Sequence, residues 1–207
     1  HVVCRRQRQM CIRDSSISVA ENKFTDSAGN NNIASNTFQW TYDSTRPGMT
    51  ITSSTVSSGQ TSKNSTIALQ FLSTEETDNF AIGDITISGG SLGTLSNPSG
   101  DNRTFTTTFT QAGETTYSIS VAENKFTDAA GNNNTVSNTF QWTYDGTGPG
   151  MTITSSTVSS GQTSNNSSIA LQFLSTEETS NFAIGDITTT GSTGSYSCLL
   201  YTSDAAD

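Results

Sequence analysis

Residues 136–144 read Val-Ser-Asn-Thr-Phe-Gln-Trp-Thr-Tyr, and large apolar side chains alternate there with polar ones. A period of two is typical of a β-strand with one buried face, whereas the apolar period of a helix is about 3.6 residues. The side chains predicted to face a core are Val136, Phe140, Trp142 and Tyr144. The polar residues between them are predicted to face solvent. This segment therefore predicts the last strand of a β-structured domain.

Similar alternation recurs in shorter upstream segments that are separated by turn residues. The inward residues predicted for these segments are Met49, Ile51, Val56, Ile67, Leu69, Phe71, Phe80, Ile82, Ile85, Ile87, Leu92, Leu95, Phe105, Thr107, Phe109, Tyr117, Ile119 and Val121. We expect a bulge at Gly83, a hairpin turn over residues 111–114 and one helical turn over residues 122–125. Seven strands with one buried face each predict an all-β sandwich of two sheets. Trp142 and the phenylalanines are expected to supply most of its apolar core.

The whole pattern returns along the chain at an offset of 102 residues. Ser-Val-Ala-Glu-Asn-Lys-Phe-Thr-Asp at 18–26 recurs at 120–128, and residues 49–88 differ from residues 151–190 at five of 40 positions. A period near 100 residues is the size of one sandwich domain, not of a solenoid unit. The chain is therefore predicted to hold the C-terminal part of one repeat (16–45), a complete repeat (46–147) and the N-terminal part of a third (148–197).

The two ends of the chain do not fit this repeat. Residues 5–14 and 198–207 resemble translations of the two strands of a sequencing-library adapter. We interpret residues 1–15 and 198–207 as adapter-derived and exclude them from the fold. All three cysteines and the only histidine lie in these segments, at Cys4, Cys11, Cys198 and His1.

Composition excludes several classes of function. The net charge of −9 argues against nucleic-acid binding, because contacts to phosphates need Lys and Arg. The sequence contains no run of 18 apolar residues, so it predicts no membrane span. Without Cys or His outside the termini, Ser-His-Asp and Cys-His catalysis is excluded. Glu75 and Glu76 could suggest a glycosidase pair, but neighbouring strand residues point to opposite faces, so we predict that the chain is not an enzyme.

Four motifs, taken in order, resemble a bacterial Ig-like family whose repeats have about 100 residues. The motifs are Leu-Gln-Phe-Leu-Ser-Thr-Glu-Glu (69–76), Phe-Ala-Ile-Gly-Asp-Ile-Thr (80–86), Phe-Thr-Asp-Ala-Ala-Gly-Asn (126–132) and Tyr-Asp-Gly-Thr-Gly-Pro (144–149). The resemblance implies an immunoglobulin-like β-sandwich in tandem repeats. It also implies a place in large secreted or surface adhesins, where such domains act as stalks or adhesive segments. The sequence departs from the family in the linker, where Arg46 or Gly148 stands in place of the usual Ala before Pro.

Oxygen-bearing side chains in the loops and at the repeat junction suggest a calcium site, because calcium takes six to eight oxygen ligands. The candidate ligands are Glu76, Asp84, Asp128, Asn132 and Asp145. Gly131 can adopt a positive φ that turns carbonyls inward, and an ion at Asp145 would stiffen the link between repeats. The alternative is that Asp128 and Asn132 only cap a turn through side-chain hydrogen bonds.

Together these observations predict a non-catalytic stalk, spacer or adhesion repeat of an extracellular or cell-surface protein. Its expected partners are the neighbouring repeats of the same chain. The alternative is a carbohydrate- or protein-binding Ig-like module, accessory to a secreted hydrolase, with a cell-surface glycan or protein as its partner. Exposed aromatic side chains on outward strand positions would favour that alternative. The predicted outward positions are mostly Thr, Ser and Gln, which favours the structural role.

Overall fold

A computed structural model describes the backbone of residues 13–191 and the side chains of residues 15–191. The strands in this part of the chain are β1 (Arg13–Ile17), β2 (Phe38–Tyr42), β3 (Met49–Ser53), β4 (Thr61–Ser62), β5 (Thr66–Ser73), β6 (Ile85–Ile87), β7 (Ser91–Leu92), β8 (Thr104–Thr110), β9 (Thr116–Val121), β10 (Phe140–Tyr144), β11 (Met151–Ser155) and β12 (Leu171–Ser175). Two 3-10 turns, Ile82–Asp84 and Ile184–Asp186, complete the regular structure, and no α-helix occurs between residues 13 and 191. The chain forms two compact units that divide between Gly146 and Thr147.

The complete repeat is a sandwich of two four-stranded sheets. One sheet has the strand order β3-β5-β8-β7 and the other the order β4-β10-β9-β6. Neighbouring strands in both sheets are antiparallel, except that β4 runs parallel to β10. This confirms the predicted all-β class and the two-sheet arrangement.

The core lies between the two sheets and is rich in aromatic rings. Trp142 of β10 and Phe71 and Phe109 of the opposite sheet are completely buried. The ring of Trp142 lies 5.5 Å from that of Phe109, edge to face, and stacks at 5.2 Å on the ring of Tyr117. All the inward residues predicted for β3, β5, β8 and β9 are buried, so the period-two alternation identified the core side of these strands.

The connection over residues 111–114 is not the hairpin that the sequence predicts. β8 and β9 belong to different sheets, and the chain crosses between them here. The hydroxyl of Tyr117 fixes this crossing, because it accepts a hydrogen bond from the Ala112 amide (2.8 Å) and donates one to the Gly113 carbonyl (2.6 Å). The turn signal was therefore right, and the pairing of the flanking strands was wrong.

Three local predictions are corrected by the structure. Ile82 is exposed and Gly83 lies in a 3-10 turn, not in a strand bulge, because the carboxylate of Asp84 accepts a hydrogen bond from the Ala81 amide and caps that turn. Val136 is exposed, since β10 begins only at Phe140. Residues 122–125 form no helical turn, and Asn124 adopts a left-handed φ of 58–60° like its counterpart Asn22.

The chain passes through the complete repeat from one end to the other. The N-terminal segment of the repeat runs alongside its C-terminal segment in the same direction. Backbone hydrogen bonds join Pro47 with Thr135, Gly59 with Gln141 and Ser62 with Asp145, and the side chain of Asn138 bonds to the backbone of Ile51. Because the two segments run in parallel, residue 43 lies at the end of the domain opposite to residue 145.

The partial repeats keep the strand pairing of the complete repeat. β1 pairs with β2 as β9 pairs with β10, with Ile17 opposite Phe38. β11 pairs with β12 as β3 pairs with β5, with Ile153 opposite Phe173. Each of these sheets has two strands. Residues 13–15 of the adapter-like segment extend β1, while residues 1–12 and 198–207 lie outside the described residues. The proposed repeat boundaries at 16, 46 and 148 stay predictions.

Candidate functional site

The loop between Phe126 and Asn134 is organised around one carboxylate. Asp128 accepts hydrogen bonds from the backbone amide of Asn132 (2.8 Å) and from its side-chain amide (3.0 Å). The Gly131 amide donates to the Asp128 carbonyl, and Gly131 adopts a φ of +89° that closes the turn. The turn-capping role considered for Asp128 and Asn132 is therefore present in the structure.

Two further carboxylates meet Asp128 at the N-terminal end of the domain. Oxygen atoms of Asp43, Glu75 and Asp128 all lie within 4.8 Å of one another. Asp128 is buried, and the other two residues are half-buried. Asn132 joins this cluster to the linker, because its side-chain amide donates to the Asp43 carbonyl at 3.2 Å. These three carboxylates, which we call the acidic cluster, are the described residues best placed to hold a cation.

Crowding changes the protonation of the acidic cluster. Burial, followed by a hydrogen bond with Asp128 and the negative charges of Asp43 and Asp128, raises the pKa of Glu75 to about 7, against a smaller opposing effect of Arg103. Burial also raises the pKa of Asp128, but hydrogen bonds from Asn132 and from Glu75 outweigh it and leave that pKa below its usual value. Glu75 is therefore the group that holds a proton close to neutral pH and shares it with Asp128.

The structure brings only part of the predicted calcium set together. Asp128 and Asn132 lie at the acidic cluster, whereas Glu76 is exposed and Asp84 caps its 3-10 turn. Asp145 lies at the far end of the domain, beside Ser62. At the 102-residue offset Asp145 corresponds to Asp43, and Asp43 is the copy of this linker aspartate that lies beside Asp128 and Asn132.

Glu75 and Asp43 were not among the predicted ligands, but the sequence contains a signal for each of them. Ser73 faces inward at the end of β5, and the same parity continued by two residues points to Glu75 instead of Glu76. Asp43 repeats the Tyr-Asp pattern of Tyr144-Asp145. What the sequence lacked was the direction of the chain through the sandwich. Calcium binding by Asp43, Glu75 and Asp128 stays a prediction.

The acidic cluster predicts a pH dependence of stability that depends on Glu75. The folded state holds the Glu75 proton more tightly than the unfolded chain, whose glutamate has a pKa near 4.5. The free energy of unfolding should therefore fall as pH rises from 4.5 to about 7, by about 1 kcal/mol after allowance for solvent screening. In Glu75→Gln this fall should disappear, which urea unfolding at a series of pH values measures.

The neighbouring residue supplies the control for this prediction. Glu76→Gln alters an exposed carboxylate one position away, so its stability profile should follow that of the wild type. A profile that flattens equally in both variants would show that general surface charge, not the proton of Glu75, sets the pH dependence.

Comparison with known proteins gives the family of this sandwich. Residues 43–144 match the family model for the bacterial Ig-like domain. Searches of curated proteins and of solved structures found no match to the chain. Among the described residues, no helix has the length and apolar character needed to cross a membrane. Bacterial Ig-like domains are generally non-catalytic modules and are typical of extracellular or surface proteins. Residues 43–144 of this chain are a bacterial Ig-like domain.

Proposed function

We propose that the chain is a stalk or spacer segment of a large secreted or cell-surface protein, in which each repeat adds length between an anchor and a distal binding part. The observation that carries the proposal is the path of the chain, which enters the complete repeat at the end opposite to the one where it leaves. Repeats joined in this way extend the protein with every copy, whereas adjacent termini would fold successive copies back.

The surface of the complete repeat supports the same role. Its outward strand positions carry mainly Thr, Ser and Gln, as on β8 and β3. None of the exposed large apolar residues between 43 and 144, a range that is described in full, is aromatic: they are Leu72, Ile82 and Val136. The aromatic platform that would favour a carbohydrate-binding module is therefore not found on the complete repeat.

Scattering by repeat arrays tests the spacer role. Arrays of two, three and four copies of residues 43–144 should show a maximum dimension that rises by a constant step. This step should be at least about 26 Å, the length of an eight-residue strand at 3.3 Å per residue. A maximum dimension that grows only as the cube root of mass would contradict a stalk. Specific binding of the chain to a glycan array would support the alternative, a binding module.

Arg46 holds the linker before the complete repeat in place. Its removal is therefore predicted to lower the stability of the domain. Its guanidinium donates to the carbonyls of Asn133 (2.8 Å) and Asn134 (2.7 Å) and lies 3.7 Å from the Glu123 carboxylate. Arg46→Gly, which introduces the residue found at the equivalent position 148, should lower stability by about 1 kcal/mol. Thermal melting should show a Tm lower by about 4–8 °C.

Lys63→Asn is the matched control, because it also introduces the residue of the next repeat, Asn165, at an exposed position. This variant should melt within about 2 °C of the wild type, as surface substitutions usually do. Equal shifts in the two variants would mean that the contacts of Arg46 do not stabilise the domain.

Calcium addition is a direct test of the acidic cluster as a cation site. If Asp43, Glu75 and Asp128 bind calcium only when folded, the ion should raise the Tm of the complete repeat and a chelator should reverse the rise. The increase should be larger above pH 7, where the proton on Glu75 no longer competes. An unchanged Tm with calcium and with chelator would remove the calcium hypothesis and leave the cluster as a turn cap.

A further inference from the structure

β3 (Met49–Ser53) is the longest of the four strands that lie at the outer sides of the two sheets in the complete repeat. It pairs with β5 on one side only. In an antiparallel pair every second residue directs its backbone N–H and C=O away from the partner strand. β3 therefore has a second side at which another strand can pair.

The sequence of β3 lacks the usual protection of such a strand. Residues 49–56 read Met-Thr-Ile-Thr-Ser-Ser-Thr-Val and contain no charged residue and no proline. Lysine, proline, a bulge or a very short length normally prevents an outer strand from pairing with another chain. Uncharged segments of high β-propensity are instead typical of strands that pair with copies of themselves. Protection of β3 therefore has to come from elsewhere in the fold.

The side chain of Asn138, which lies just before β10, covers the centre of this strand. Asn138 accepts a hydrogen bond at its Oδ1 from the Ile51 amide (2.7 Å) and donates one from its Nδ2 to the Ile51 carbonyl (2.9 Å). A residue of an antiparallel partner strand exchanges the same two bonds with the residue opposite to it. The side-chain amide of Asn138 thus occupies the hydrogen-bonding place of a neighbouring strand.

The surroundings of Asn138 are those of a cover, not of a core contact. Asn138 is exposed to solvent, whereas the side chain of Ile51 is buried. The Thr135 amide donates to the Pro47 carbonyl (2.9 Å), so the segment 135–138 follows the chain from Pro47 to Ile51. Water can bond to exposed backbone groups, so these hydrogen bonds add little to stability. What they change is the access of another strand to β3.

We propose that Asn138 prevents β3 from pairing with β3 of a second copy of this chain. A second copy fits because β3 can pair antiparallel with its own sequence about Ile51, which places Thr50 of one copy opposite Thr52 of the other. Cross-strand pairs of β-branched residues are favourable, and no like charges meet. Both Ile51 side chains keep their place in the cores of their own domains. The contact is two-fold symmetric and closes at a dimer.

Two substitutions of Asn138 separate exposure of β3 from loss of stability. Asn138→Ala removes both hydrogen bonds and leaves the strand uncharged, so this chain should dimerise. Asn138→Asp also loses the donor to the Ile51 carbonyl, but its negative charge still blocks the strand. Sedimentation should therefore give Asn138→Ala a weight-average mass about twice that of Asn138→Asp, at a concentration at which Asn138→Asp and the wild type agree.

The rest of the chain is the same in all three proteins, so a difference in mass comes from position 138. Equal masses of the three chains would overturn the proposal. Dimerisation of Asn138→Asp to the same extent as Asn138→Ala would also overturn it, because loss of stability would then be the cause.

Hydrogen exchange at the Ile51 amide locates the contact. In dilute Asn138→Ala this amide should exchange about tenfold faster than in the wild type, because it has lost its acceptor. Raising the concentration should restore its protection, since β3 of the second copy then supplies an acceptor. Amides of the central strand β8 should stay protected in both variants, which shows that the domain is folded. Exchange at Ile51 that does not depend on concentration in Asn138→Ala would contradict pairing through β3.

Discussion

Replacing Trp142 with alanine is expected to lower the free energy of unfolding of the complete repeat by about 3–5 kcal/mol. The ring is fully buried between the two sheets and contacts the rings of Phe109, Tyr117 and Tyr144. Its indole N–H has no hydrogen-bond partner among the described residues, so the loss comes from packing alone. Urea unfolding followed by circular dichroism measures the change, because the midpoint falls while the slope stays constant.

Trp40→Ala is the control, because the surrounding sequence Phe-Gln-Trp-Thr-Tyr is the same at both sites. Trp40 is exposed, so at low chain concentration this change should alter the same transition by less than about 0.5 kcal/mol. The chain has two tryptophans, so Trp40→Ala also leaves Trp142 as the single emitter, with the blue-shifted fluorescence of a buried indole. Red-shifted emission, or an equal loss in both variants, would contradict the core described above.

The second large effect is expected at Asn134, a fully buried polar residue. Its side-chain oxygen accepts from the amides of Lys125 (2.6 Å) and Phe126 (3.0 Å), and its amide donates to the carbonyls of Ala122 and Thr135, both at 2.8 Å. Asn134→Ala leaves four backbone groups without these partners, and each unpaired buried group costs about 1–3 kcal/mol. We expect a total loss of about 3–4 kcal/mol after partial rehydration, measured by the same urea unfolding.

The adjacent asparagine separates loss of this network from loss of any loop amide. Asn133 is exposed, and Asn133→Ala should change stability by less than about 0.5 kcal/mol. If Asn133→Ala were as costly as Asn134→Ala, general loop propensity would explain the loss and the four hydrogen bonds would not.

The fold could be predicted where a side chain's burial depends on its own strand. Trp142, Phe71 and Phe109 follow the period of two and are buried as predicted. Val136 has the same parity as Trp142 but lies before Asn138, whose side chain bonds to the Ile51 backbone in the other sheet and delays the start of β10. That hydrogen bond joins residues 87 positions apart, so no local pattern indicates it.

Prediction of the acidic cluster has the same limit, because local sequence patterns do not indicate contacts between distant residues. The Asp128–Asn132 turn could be predicted, because all its hydrogen bonds lie within five consecutive residues. The partial repeat at 16–45 forms the same turn with Asp26 and Asn30, which shows that this short sequence is sufficient to form the turn. Asp43 and Glu75 reach the turn only through the overall path of the chain. Their identification therefore requires knowledge of which linker passes beside the loop.

The outer strands of the sandwich are short, and this matters for an array of near-identical units. β4 and β7 have two residues each and β6 has three, so three of the four sheet margins offer few free backbone donors and acceptors to another strand. In a tandem protein, misassembly between neighbouring copies is a characteristic failure, because each copy is tethered near the next at high effective concentration. Short edge strands therefore allow neighbouring copies to fold without pairing edge to edge into one continuous β-sheet.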